Sequence, residues 1–288
     1  DDYLKAESGN DYVEGGSGSD RIIGGSGEGD DTYNGGAGVD TVEYQSALTG
    51  ITINLKIGTA SSTDASNTAK IGTDTLIDIE NIIAGAFDDV LVGNSSPNRI
   101  DGGLGIDTVI YDSNLDVITK SSTEITVNGD TLVNVERIQF LDTSVAFDID
   151  GANSAGGIYR TYQATFNRDP DVGGFGYWIE RADDGASAVQ MAEEFVWSEE
   201  FQNLYVVQTP YADSYLSGYD IEGIVEGFYQ NVLGRDPDQG GLMFYAGTIV
   251  DHERTVGRVL AEIADSSENR ELVLSTIENG MNYDLWVS

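Results

Sequence analysis

Two spacings of apolar residues divide the chain. In the first half, Leu4, Val13, Ile22, Tyr33 and Val42 each stand two residues after an aspartate, and Ile51, Ile53 and Leu55 alternate with polar neighbours. Such a period of two predicts short strands with one buried face. Past residue 157 the spacing becomes helical. Tyr159, Tyr162 and Phe166 fall on one face, and Ser187-Ala188-Val189-Gln190 forms a capping box ahead of Met191, Phe195 and Val196. Ile224, Phe228, Tyr229 and Val232 make a further stripe that Gly234 stops. The Gly- and Ser-containing stretch 150–157 reads as a linker. A β unit over residues 1–148 and an all-α unit over 149–288 are therefore expected.

Glycine explains how the first strands are joined. Gly15-Gly16-Ser17-Gly18-Ser19-Asp20-Arg21-Ile22-Ile23 is followed at once by Gly24-Gly25-Ser26-Gly27. Gly35-Gly36-Ala37-Gly38-Val39-Asp40-Thr41-Val42-Glu43 arrives after a two-residue insertion within residues 28–33. Read backwards, the same nine-residue frame meets Asp11 with Val13 and Asp2 with Leu4. Glycines permit the tight turns, so nine residues make half a coil and aspartates about 18 residues apart stack on one edge. Carboxylates and turn carbonyls there make an oxygen cage of the kind hard Ca²⁺ takes, six to eight ligands in irregular geometry. Five in-frame Asp-x-apolar units weigh against a flexible Gly/Ser linker.

This pattern resembles the RTX (repeats-in-toxin) family, whose nonapeptide GGxGxDxUx builds a calcium-binding parallel β-roll. The resemblance implies several bound Ca²⁺ ions, with Asp2, Asp20 and Asp40 along one edge and Asp11 and Asp31 along the other. The insertion places the Asp31 position in question and offers Asp30 as a substitute. Residues 59–70, rich in Ser, Thr, Ala and Asn, read as a projecting loop. Further on, Asp89 and Asp107 stand 18 apart in restored motifs, with Asn98 where an aspartate would sit between them; a second, weaker calcium cluster is expected there. Asp74 and Asp130 are read as surface polar residues, ligation being the alternative. Phe140 and Phe147 are expected to cap the open end of the roll.

The helical half contains an internal duplication at an offset of 67 residues, about 157–207 and 224–275. Arg168-Asp169-Pro170-Asp171-Val172-Gly173-Gly174 matches Arg235-Asp236-Pro237-Asp238-Gln239-Gly240-Gly241. Proline ends one helix, Asp171 or Asp238 caps the next, and the glycines permit close packing. This half resembles the domain-of-unknown-function 4214 family that accompanies RTX repeats. It is distantly similar to the lipopolysaccharide-anchoring helices of some surface-layer proteins. An EF-hand reading of the duplicated loop fails, because its fifth position is Gly173 and the second copy has Gly247 where Glu180 would be the twelfth ligand.

Composition narrows the function. With 50 acidic against 14 basic side chains the formal charge is −36, which opposes nucleic-acid binding and favours a bound cation. There is no cysteine for disulfides, thiol catalysis or cysteine-based zinc sites. No apolar run reaches the roughly 18–20 residues of a membrane span. The N-terminus lacks the zones of a signal peptide, whereas Asp284-Leu285-Trp286-Val287-Ser288 resembles the uncleaved C-terminal signal of type I secretion substrates. His252 is the sole histidine, in the polar run 251–254, and Gly25-Ser26-Gly27-Glu28-Gly29 fails as a nucleophile elbow at its centre. Acidic pairs of the glycosidase kind are numerous, but the repeat accounts for most. The expectation is a non-catalytic, secreted calcium-binding module at the surface of a Gram-negative bacterium. Its partner would be a surface glycan, lipopolysaccharide, or further copies of itself. The alternative, kept open by a start in mid-repeat, is the export and folding region of a larger secreted hydrolase or lyase.

Overall fold

The structure is a computed structural model and describes residues 1–24, 29–205 and 220–286. Residues 25–28 of the second repeat, which the hydrolase-elbow comparison also uses, lie outside the described residues, as do Val287 and Ser288 of the C-terminal signal. Two compact units are formed, Asp1–Ala146 and Phe147–Ser288.

The first unit is built of short strands. In chain order they are β1 (Tyr3–Lys5), β2 (Tyr12–Gly18), β3 (Arg21–Ile23), β4 (Thr32–Gly38), β5 (Thr41–Glu43), β6 (Ile51–Asn54), β7 (Thr59–Ser62), β8 (Thr73–Ile77) and β9 (Asn81–Ile83). Then follow β10 (Val90–Val92), β11 (Arg99–Asp101), β12 (Thr108–Ile110), β13 (Ile118–Lys120), β14 (Ile125–Val127), β15 (Asp130–Val133), β16 (Arg137–Gln139) and β17 (Ser144–Ala146). The chain steps between two sheets. One has the order β1-β3-β5-β9-β11-β15-β14-β13, and the other contains β17-β16-β12-β10-β6-β7-β8-β4-β2.

Neighbours from different repeats pair in parallel, with Tyr3 opposite Arg21, Arg21 opposite Thr41 and Val90 opposite Thr108. Where the chain doubles back, at β6-β7-β8, β13-β14-β15 and β16-β17, the pairing is antiparallel. The apolar residue two after each frame position fills the interior. Ile22, Tyr33, Val42, Ile82, Leu91, Ile100, Val109 and Ile138 are fully buried, each contributing roughly 1.5–3 kcal/mol.

Three expectations are corrected here. Residues 59–62 are not loop: β7 bonds to both β6 and β8, and Ala60, Ala69 and Ile71 are buried, because small apolar residues among the serines and threonines supply an inward face. Phe140 stacks on Tyr111 at 5.5 Å, whereas Phe147 belongs to the second unit. The supposed linker is already helical by Ala155, since Ser154 caps the helix by accepting the Gly157 N–H.

The second unit has helices α1 (Ala155–Phe166), α2 (Val172–Asp183), α3 (Ala188–Val196), α4 (Glu199–Tyr205), α5 (Ile221–Leu233), α6 (Gln239–Val250), α7 (Val256–Ala264) and α8 (Ser267–Ile277), then strand β18 (Met281–Tyr283). Asp171 and Asp238 are the N-caps of α2 and α6, and Gly234 ends α5 in the left-handed conformation with φ 62°. A methyl group on Gly174 would lie 2.7 Å from the Tyr162 hydroxyl, so this glycine is required by close helix approach. Each copy clamps its own fourth helix: Arg168 binds Glu200 through two nitrogens, and Arg235 binds Glu268 likewise.

Candidate metal centre

At eight of the strands the residue just before the strand donates its N–H to a side chain of a later repeat. On the first sheet, the Asp2 N–H donates to Asp20 Oδ1 at 2.7 Å, Asp20 to Asp40 Oδ1 at 2.7 Å, and Asp40 to Glu80 Oε2 at 2.8 Å. Asn98 continues the row by donating to Asp130 Oδ1 at 2.8 Å. On the second sheet, Asp11 donates to Asp31 Oδ1 at 2.8 Å and Asp31 to Asp74 Oδ1 at 3.0 Å. Farther along, Asp89 donates to Asp107 Oδ1 at 2.8 Å and Asp107 to Glu136 Oε2 at 3.0 Å.

One carboxylate oxygen per rung is thus consumed. What becomes of the other separates the rungs. Asp20, Asp40 and Asp107 are 2%, 0% and 0% exposed, and the Oδ2 of each has no hydrogen-bond partner. Each of the three follows a Gly-Gly pair by five residues, and the first glycine lies against that oxygen. A methyl group on Gly15 would be 2.5 Å from Asp20 Oδ2 and 2.7 Å from the Gly35 carbonyl oxygen. On Gly35 it would be 2.7 Å from Asp40 Oδ2 and 2.3 Å from the Asp78 carbonyl, and on Gly102 2.5 Å from Asp107 Oδ2 and 2.3 Å from the Asn134 carbonyl. A carboxyl oxygen without a hydrogen-bond partner is therefore buried close to a carbonyl oxygen, an arrangement that costs the ionised group several kcal/mol unless a cation joins the two.

The remaining candidates are placed differently. Asp31 keeps its rung despite the insertion, and Asp30 does not replace it: Asp30 is exposed in an outer row, where its Oδ1 accepts the Thr73 N–H. Asp2 is exposed and Asp11 half-buried at the start of the stack. Asp89 Oδ2 accepts the Gly85 N–H at 2.9 Å. The Asn98 amide donates to the Glu80 carbonyl at 2.7 Å. Asp74 and Asp130 are not surface residues; they are 1% and 5% exposed, because the frame that buries Leu76 and Leu132 also seats the residue two before. Sequence reading missed Glu80 and Glu136. Their signal was position, since each stands two before a buried isoleucine, with glutamate in place of aspartate.

Burial is the main cause that pushes the Asp107 carboxyl up to about 8, Asp74 to about 7 and Asp89 to about 6. Neighbouring carboxylates add to it, as Asp89 does on Asp107. Among the described residues no three His, Cys, Asp or Glu side chains converge on a metal position. Single carboxylates beside main-chain carbonyls gather instead, an all-oxygen set that suits Ca²⁺ rather than a transition metal.

A family model described as the RTX calcium-binding nonapeptide repeat (4 copies) matches residues 1–28, 26–42 and 72–109, which contain all three glycine-backed aspartates. A second, described as Domain of unknown function (DUF4214), matches residues 152–205 and 209–273. The chain carries RTX repeats followed by DUF4214 segments. No curated protein matches it. RTX repeats bind calcium and are typical of secreted proteins, and the unpartnered oxygens of the RTX unit fit that ion. Asp20, Asp40 and Asp107 would hold it with turn carbonyls; bound there, calcium supplies the positive charge that the edge lacks.

In the DUF4214 unit the Asp-Pro-Asp loops use their carboxylates structurally. Asp171 Oδ1 accepts the Gly174 N–H at 2.7 Å and Asp238 Oδ1 the Gly241 N–H at 2.8 Å. His252 is exposed in a left-handed turn with φ 59°. No helix among the described residues is long and apolar enough to cross a membrane.

Proposed function

We propose that this chain is a non-catalytic extracellular module whose RTX unit closes as a parallel β-roll around several Ca²⁺ ions after type I secretion, and whose helical unit serves attachment at the cell surface. The observation that carries the reading is the set of three buried, unpartnered carboxylate oxygens, each backed by a glycine and a carbonyl, inside the matched repeats. Extracellular calcium sites bind at roughly 10⁻⁴–10⁻³ M, so the roll stays open in a low-calcium cytosol and closes outside. A single site contributes about 2.7 kcal/mol at a hundredfold excess over its Kd.

With a −36 charge, direct attraction to anionic glycan or lipopolysaccharide is unfavourable, and calcium bridges the two. Circular dichroism of the whole chain during an EGTA titration tests the folding half; an unchanged β signal overturns it. Binding to lipopolysaccharide vesicles and whole cells, with calcium and with EGTA, tests the attachment half. No binding in either condition, together with self-association in light scattering, replaces attachment by assembly into a layer.

A further inference from the structure

In three ladder aspartates a tyrosine hydroxyl takes the second carboxylate oxygen. Tyr33 donates its hydroxyl to Asp31 Oδ2 at 2.6 Å, Tyr44 to Asp74 Oδ2 at 2.7 Å, and Tyr111 to Asp130 Oδ2 at 2.9 Å. Tyr33 and Tyr44 are fully buried, and their rings meet edge to face at 6.4 Å. In each pair one oxygen takes the N–H of the preceding rung and the other takes a phenol, so both are satisfied from within the protein. The local chain differs to match. Asp74 and Asp130 have Ala69-Lys70 and Ile125-Thr126 at the places where Asp20, Asp40 and Asp107 have Gly-Gly. Two independent features, the free oxygen and the backing glycine, thus occur together at one set of rungs, and at Asp74 and Asp130 both are absent.

We propose that calcium is taken at Asp20, Asp40 and Asp107, and that at Asp31, Asp74 and Asp130 a tyrosine hydroxyl holds the oxygen that calcium would otherwise hold. The stack is then a composite. Some rungs close only with metal, and others are latched by a phenol. A hydrogen bond to a carboxylate is weaker than an ion contact but needs no calcium of its own, so the latched rungs order before the last metal rungs fill. This rests on the calcium reading above and narrows it to particular residues.

The experiment measures calcium bound per chain, by equilibrium dialysis and atomic absorption on the full chain. D20N, D40N and D107N should each lose about one bound calcium, whereas D31N, D74N and D130N should keep the wild-type number. Where an aspartate variant does not fold, Tyr33→Phe, Tyr44→Phe and Tyr111→Phe replace it, because they remove only the latch. Their calcium number should be unchanged or higher. Ultraviolet resonance Raman of the tyrosines, taken as differences against the three Tyr→Phe variants, supplies a second readout: the hydroxyl bands of the three latched residues should reach their final position at a lower calcium concentration than the one that saturates the bound-calcium number. A folded D31N, D74N or D130N that loses calcium as D20N does, or latched hydroxyl bands that change only as the last calcium sites fill, overturns the composite stack while leaving calcium binding intact. A wild-type chain that binds no calcium overturns the calcium reading itself.

Discussion

Gly102→Ala isolates the contribution of one metal rung. Gly102 does not have a left-handed φ, so its backbone would accept alanine; the obstacle is space. The added methyl would stand 2.3 Å from the Asn134 carbonyl oxygen, 2.5 Å from Asp107 Oδ2 and 2.7 Å from Asp107 Cβ. Overpacking of this kind costs about 1–3 kcal/mol at any calcium concentration. Displacing the carboxylate also removes a calcium site, and each independent site adds about 1.4 kcal/mol of stability per tenfold rise in calcium above its Kd. G102A should therefore lose stability in two ways, by a constant offset and by a slope against log calcium lower by about 1.4 kcal/mol. Gly129→Ala is the control. Gly129 has φ 95° and open space around its missing side chain, so G129A should cost about 1–2 kcal/mol of backbone strain with the wild-type slope. Urea unfolding at stepped calcium, followed in the intact chain by hydrogen exchange of peptides from residues 81–140, gives both slopes. A G102A slope equal to wild type would refute the assignment of Asp107 as a metal rung.

All three tryptophans, Trp178, Trp197 and Trp286, lie in the second unit; their fluorescence should be unchanged in EGTA, and its collapse on chelation would show that the Asp-Pro-Asp loops hold metal. Arg160, 1% exposed, bonds Asp265 at 2.7 Å and the carbonyls of Ile149 and Gly151, so R160A should destabilise the helical unit by about 3 kcal/mol in thermal or urea melts read by tryptophan. Because Asp107, Asp74 and Asp89 have folded-state values raised above the ordinary carboxylate range, the metal-free RTX unit binds more protons than its unfolded chain. The stability these three groups contribute is full below about pH 4 and is lost as pH rises toward 8. The gap between melts in calcium and in EGTA should widen over that window, and calorimetry in buffers of different ionisation heat should show proton release on calcium binding; equal gaps at pH 5 and pH 8 would contradict the burial argument.

Much of the first unit was legible because its geometry is written in short-range spacing. An aspartate two residues before an apolar residue locates both the rung and the buried side chain, as Asp20 with Ile22 and Asp107 with Val109. Departures arise where position depends on residues distant in the chain. Tyr44 reaches Asp74 across 30 residues and Tyr111 reaches Asp130 across 19, and no local pattern distinguishes such a tyrosine from an ordinary core aromatic. Strand β7 is hidden in the sequence because its serines and threonines mask the alternation that buries Ala60 and Ser62. In the helical unit, the caps at Ser187, Asp171 and Asp238 were readable since capping is local. The ion pair of Arg160 with Asp265 joins residues 105 apart and left no trace in spacing.

The side-chain ladder measures rung height and takes no account of the length of chain between rungs. Successive rungs are joined at a separation of 18 residues from Asp89 to Asp107, 20 from Asp20 to Asp40, 40 from Asp40 to Glu80 and 43 from Asp31 to Asp74. Each doubling of a flexible loop adds only about 0.6 kcal/mol of closure entropy, less than one buried isoleucine returns. Length is therefore nearly free at the places where the chain leaves the stack, such as residues 63–68 between β7 and β8. The RTX unit can carry inserted peptide there and keep its register, which makes it a scaffold in which surface decoration and metal-dependent closure vary independently.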